Sequence, residues 1–169
     1  MCMKNINANF FVSRNVQTFE NGIQSYGGVF NGIVPEKDEH GNVFVNDINI
    51  VLRCIIMFNK DEKNDIIEED GSINLDKEYE FMTRLTFVRS GLSVILDRFQ
   101  LQLNKEKLTN WCKAFYEFNR IVKVPHLVLP EGQGDYAIKL FVREKSNDPN
   151  APWVTQTLSS LSVRDNVEI

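Results

Sequence analysis

The chain has 169 residues, 43 % of them hydrophobic and 25 % charged, with a net charge of −4 at pH 7. That composition excludes disorder as the default reading, and a domain of this size hides roughly 70 % of the surface its unfolded chain exposes, so a core forms without disulfides or metal. The acidic balance argues against a protein that grips nucleic acid or an anionic membrane by bulk positive charge.

Three cysteines, Cys2, Cys54 and Cys112, are odd in number and widely spaced, which is not a disulfide framework. The compartment expected is therefore reducing: cytoplasm, or a virion assembled in a bacterial cytoplasm. No membrane partner is expected. The longest apolar stretch, Ile48 to Phe58, is interrupted by Asn49 and Arg53 and is too short to span a bilayer, and Met1 to Asn9 lacks the apolar region of a secretory signal.

In chain order, Asn9 to Val12 and Gly28 to Val34 look extended. An acidic turn, Pro35 to Asn42, precedes Ile48 to Phe58, which begins as an alternation and ends apolar on both faces, as a central strand covered on both sides does. A longer acidic loop follows, Asn59 to Asp76. Phe81 to Val88 alternates, with Phe81, Leu85 and Phe87 opposed to Arg84 and Thr86. Ile95 to Leu103 sets Ile95, Phe99, Leu101 and Leu103 against Arg98, Gln100 and Gln102, with Asp97 breaking the apolar face.

Asn104 is a helix N-cap candidate before Leu108, Trp111, Cys112 and Phe115 at helical spacing. This predicts one short helix ending near Phe115; Glu117 to Val124 reads equally as more helix or as strand. Val122 to Leu129 is extended. The cleanest alternation is Tyr136 to Arg143, with Tyr136, Ile138, Leu140 and Val142 on one face. A loop rich in turn residues, Lys145 to Pro152, joins it to Trp153 to Val163, predicting a hairpin. Many strands, turn signals between them and no internal linker predict a single domain over residues 1–169: a mainly β, antiparallel two-layer β-sandwich with one short helix.

The stretch Pro125 to Leu140 carries a resemblance. An apolar strand, a Pro/Gly turn and then Gly134-Asp135-Tyr136 opening an alternating strand resembles the late hairpin of immunoglobulin-like sandwiches, in which a tyrosine bonds back to the corner just turned. With Gly27 to Ile33, the order of the chain resembles small bacterial β-sandwich proteins of no assigned function. What the resemblance implies is a fold, immunoglobulin-like or jelly-roll-like, and a fold does not fix a function.

Chemistry is hard to find in the residues. Nucleophilic catalysis by Ser or Cys needs a base such as His, and only His40 and His126 are available; His40 lies in a solvated turn, and His126, in an apolar run, reads as a rim or half-buried side chain rather than a catalytic one. No Gly-x-Ser-x-Gly, Walker or dinucleotide fingerprint is present, and Gly27-Gly28 and Gly132-Gln133-Gly134 read as strand-edge turns. No closely spaced Cys/His pairs favour zinc.

Calcium is the better metal question, because Glu68-Glu69-Asp70-Gly71 resembles the centre of an EF-hand loop. Aligning Gly71 with the loop glycine puts Ile66 and Lys77 where Asp and Glu are needed, so the motif fails. Asp61, Asp65 and Asp70 remain as weak candidates for another calcium geometry, against a solvated acidic loop. Of the acids outside loops, Glu80 and Asp97 are isolated, so a carboxylate-pair hydrolase is the least favoured reading. Among aromatics, Trp153, Tyr26 and Tyr116 are candidates for an exposed binding surface.

The expectation is a non-enzyme without cofactor: a binding or assembly module acting through protein–protein contact, in a bacterial or phage context, with homo-oligomerisation possible. The alternative is a carbohydrate-binding sandwich, calcium-dependent or not.

Overall fold

The computed structural model describes residues 6–20, 24–30, 32–57, 78–102 and 115–165. These form strands β1 (Ile6–Thr18), β2 (Gln24–Phe30), β3 (Gly32–Ile33), β4 (Glu36–Lys37), β5 (Val43–Met57), β6 (Glu78–Phe87), β7 (Ser93–Gln102), β8 (Phe115–Leu129), β9 (Gly134–Glu144) and β10 (Val154–Val163). The predicted helix and the loop Asn59 to Asp76 lie outside the described residues, except Phe115, which opens β8. Glu117 to Val124 is strand.

The strands make two sheets. In the first, β5 is central: β1 and β4 pair along one side of it, β8 along the other, and β2 extends the sheet beyond β1, all antiparallel. The second runs β3-β10-β9-β6-β7, antiparallel except where β3 meets β10. One core joins them: Phe10, Ile50, Leu52 and Cys54 of the first sheet cluster with Phe81, Leu85, Ile138 and Leu140 of the second. Ring contacts cross the gap as well, with Phe81 edge-on to Phe118 at 5.4 Å. Burial pushes the Cys54 thiol up to about 12, so it serves the core as a small hydrophobe.

Alternation explains most of this. On β9, Tyr136, Ile138, Leu140 and Val142 are buried while Ala137, Lys139, Phe141 and Arg143 face outward. β9 and β10 form the expected hairpin. On β5 and β8 the alternation changes phase. Val45, Leu127 and Leu129 face the core from odd positions, whereas Ile48, Ile50, Leu52, Cys54, Val122 and Val124 face it from even ones. The switch falls at Asp47, whose φ is 49°, and at Pro125 on the paired strand. Because both strands switch together, the pairing register is preserved.

β7 departs from the sequence expectation. Thr83 pairs with Asp97 but Arg84 with Ile95, so Leu96 is an extra residue, a β-bulge. The bulge moves Val94 and Leu96 to the core side and turns Ile95 outward, 53 % exposed, instead of placing it with Phe99 and Leu101. Asp97, which broke the apolar pattern, marks this site. Its carboxylate receives Arg120 of β8 through Nε at 2.9 Å and Nη2 at 3.3 Å, an ion pair between the two sheets.

The connection from β8 to β9 is also a correction. The two strands lie in different sheets, so Pro130 to Gln133 is a corner between layers and not a hairpin turn. The expected tyrosine bond is there: the Tyr136 hydroxyl donates to the Gly132 carbonyl at 2.7 Å. Gly134 has a φ of 148°, and a Cβ on it would stand 2.4 Å from the Phe87 ring, so only glycine fits.

β1 and β2 bend back over the first sheet. Tyr26 pairs in register with Val16, yet its ring lies 4.9 Å from Phe11, five residues earlier on β1. Asn119 of β8 meets Gln24 of β2 at 3.5 Å, although these strands occupy opposite edges. The bend sits at Ser13, whose hydroxyl donates to the carbonyls of Asn15 and Gly27, and Asn49 donates to the Arg14 carbonyl at 2.9 Å. This arm accounts for Val51, on the outward side of β5 but fully buried, and for the apolar double face seen in the sequence.

Candidate functional site

The sequence candidates separate. Tyr26 is half-buried, its ring edge-on to Phe11 and its hydroxyl donating to Gln24 Oε1 at 2.6 Å; burial raises its pKa, with Arg53 opposing. It fastens the bent arm. Trp153 is half-buried just before β10, with the Arg143 guanidinium 4.4 Å from its ring centroid. Tyr116 stands opposite Ile56 in the β5–β8 ladder, but its side chain lies outside the described residues, as do Asp61, Asp65 and Asp70. Among the described residues, no three His, Cys, Asp or Glu side chains converge as a metal site would require.

The histidines are apart. His126 is exposed, its Nδ1 2.8 Å from Asn46 Oδ1 and its ring against Phe44. His40 is solvated beside Glu39, in a turn that Asp38 closes by accepting from the His40 and Asn42 amides. Those bonds, led by that from the Asn42 side chain, hold the Asp38 carboxyl below its ordinary range. Each carboxylate with a displaced pKa among the described residues, namely Asp38, Glu80, Asp135 and Asp165, is displaced downwards, chiefly by a side-chain hydrogen bond.

What the tertiary structure does assemble is the outward face of the second sheet. Register sets its side chains in rows across β7, β6 and β9: Ser93–Thr86–Ala137, then Ile95–Arg84–Lys139, then Arg98–Met82–Phe141, then Gln100–Glu80–Arg143.

The last row is a closed network. Arg143 Nε donates to Glu80 Oε2 at 2.5 Å, with both side chains 12 % exposed, and Gln100 reaches Glu80 Oε1 at 3.4 Å. Arg143 Nη1 approaches the Pro149 carbonyl at 3.4 Å, tying down the β9–β10 loop, and the guanidinium stacks on Trp153. The bond to Arg143 is the main reason the Glu80 carboxyl titrates low. Beyond it, Lys145 pairs with Glu78.

The Ile95–Arg84–Lys139 row is open. Arg84 lies over the Phe141 ring at 4.9 Å and directs Nε at Met82 Sδ; Lys139 stands directly opposite it on β9. Neither has an anionic partner among the described residues, and Arg98 is exposed one row away.

The β6–β7 hairpin carries exposed apolar side chains: Val88 at 64 %, Leu92 at 47 % and Ile95 at 53 %. Among the described strands, β7 pairs only with β6. The Phe87 amide donates to the Leu92 carbonyl at 2.8 Å. Since backbone groups alternate in direction along an antiparallel strand, Ser93 and Ile95 point theirs away from β6.

Arg84, Arg98 and Lys139 were visible in the sequence as the polar side of three alternations. Nothing local said that they adjoin, because register is a property of strand pairs. No protein-family model and no curated protein matches this sequence.

Proposed function

We propose that the protein is a non-catalytic binding or assembly module, an immunoglobulin-like or jelly-roll-like β-sandwich that acts through protein–protein contact in a bacterial or phage cytoplasmic setting. The observation that carries this reading is the β6–β7 hairpin. Val88, Leu92 and Ile95 are each exposed on this hairpin, Ile95 on the outward face beside backbone groups of Ser93 and Ile95 that no described strand pairs. Exposed apolar side chains beside an open strand edge favour association with another chain. The charged residues that blunt an edge, Asp97 and Arg98, begin only after the bulge.

The reading predicts that the protein elutes well above its 19.5 kDa protomer mass in a lysate of its source cells. Ile95→Lys changes an exposed side chain, so it should leave folding intact and return the protein to monomer size. Elution of the native protein as a lone monomer would sink the proposal.

A further inference from the structure

We infer that the Arg84–Lys139 row, with Arg98, receives a short acidic–apolar segment of the partner protein: one or two carboxylates beside an apolar side chain. The inference rests on the assembly reading and names the chemistry of the partner.

The primary observation is an electrostatic cost with no visible compensation. Arg84 and Lys139 are direct cross-strand neighbours in an antiparallel pair, where like charges opposite each other are destabilising. The chain carries more acid than base, Asp and Glu numbering 23 against 19 Lys and Arg. Even so, no carboxylate among the described residues meets these two cations, while the neighbouring Arg143 and Lys145 are each paired. The Arg84 side chain is set by Phe141 beneath it and by Met82 at Nε, which leaves its terminal Nη groups without a protein acceptor among the described residues.

The shape of the patch selects the ligand. Outward rows on a sheet are about 7 Å apart along the strand, so two rows offer cations over a distance that one or two carboxylates cover. Glu80 and Glu78 lie beyond one end of the patch, and Asp135 lies on the same β9 beyond the other. Each of those carboxylates is already paired, with Arg143, Lys145 and Arg164, so the open positive charge spans only these rows, a length that suits one or two carboxylates rather than a nucleic acid or long sulfated glycan. Ile95 fills the same row as Arg84, and Phe141 the next, so the anion's neighbours should be apolar.

The test uses the whole protein, isotopically labelled, titrated with acetyl-Leu-Glu-Glu-Leu-amide and followed by backbone amide shifts. Shifts should concentrate at Arg84, Arg98 and Lys139. Acetyl-Leu-Gln-Gln-Leu-amide should bind about two- to fivefold more weakly, as should the Glu peptide to Arg84→Gln or Lys139→Gln, the range an exposed ion pair supplies. Equal binding of the two peptides, shifts elsewhere, or tighter binding of a short oligonucleotide or sulfated tetrasaccharide would overturn the inference. Failure here is separable from failure of the assembly reading. If Ile95→Lys dissociates the native assembly while Arg84→Gln and Lys139→Gln leave it whole, assembly stands and the acidic segment does not. A monomer that still binds the Glu peptide gives the reverse.

Discussion

Two neighbouring parts of one sheet face handle charge in opposite ways. In the Glu80–Arg143 row the carboxylate and guanidinium are both mostly buried, bonded to each other, and extended to Gln100, the Pro149 carbonyl and Trp153. Two rows away, about 13 Å along the strands, Arg84 and Lys139 face each other with no carboxylate between them among the described residues. The strands, their pairing and the solvent boundary are the same, so the fold does not dictate the difference; the residue types do. A closed network resists leaving one partner unpaired out of water. An open row of like charges gains by losing one. The first is how a sheet face is used to hold a loop, the second how it is left ready for something else.

Arg143→Ala should break the comparison most sharply. It strands the Glu80 carboxylate, releases the β9–β10 loop and uncovers Trp153, at a cost of about 2–4 kcal/mol in chemical denaturation. Its tryptophan emission should change relative to the wild type. A loss below about 0.5 kcal/mol would mean that the network is ornamental.

Glu80→Gln keeps the shape and removes the charge, with an expected loss of about 1–2 kcal/mol at pH 7. The folded Glu80 titrates below its ordinary value of 4.5 because Arg143 holds its anion. Its contribution is therefore fully present above that value and lost as pH falls through 4.5 towards the folded pKa. The stability gap between wild type and Glu80→Gln should narrow as pH drops from 5 to 3; a gap independent of pH would contradict the pairing.

The smallest effect has the opposite sign. Lys139→Gln should raise stability by about 0.2–1 kcal/mol, seen as a melting temperature higher by up to about 3 °C. The gain should shrink with added salt, which screens the repulsion it removes. A destabilised Lys139→Gln would show that Lys139 has a structural partner and that the row is not open.

Much of the fold was legible locally, and the exceptions share a cause. Tyr136 to Arg143 alternates cleanly because β9 is flanked by β6 and β10 and packs one face on the core along its length. Ile95 was misplaced because a bulge in β7 shifts the phase by one residue, and the sequence shows only its trace at Asp97. Tyr26 is a binding candidate in the sequence only as an aromatic; the bend at Ser13 that brings it onto Phe11 is built from hydrogen bonds to residues far along the chain. Of the candidate site, Trp153 was placed near a loop, as it is, but the arginine stacked on it was not foreseen.

By itself the sequence determined the β-rich character, the inward faces of β6 and β9, the β9–β10 hairpin, and the bond from Tyr136 back onto its turn, though not that this turn joins two sheets. Period-two burial and turn chemistry act over a few residues and leave their mark wherever they act. Only the tertiary structure decided that the polar sides of β6, β7 and β9 make rows, which rows are neutralised, and that a β1–β2 arm covers Val51. Those are outcomes of strand order, register and bulges, set by contacts between residues distant in the chain, and a sequence read along its length carries no direct record of them.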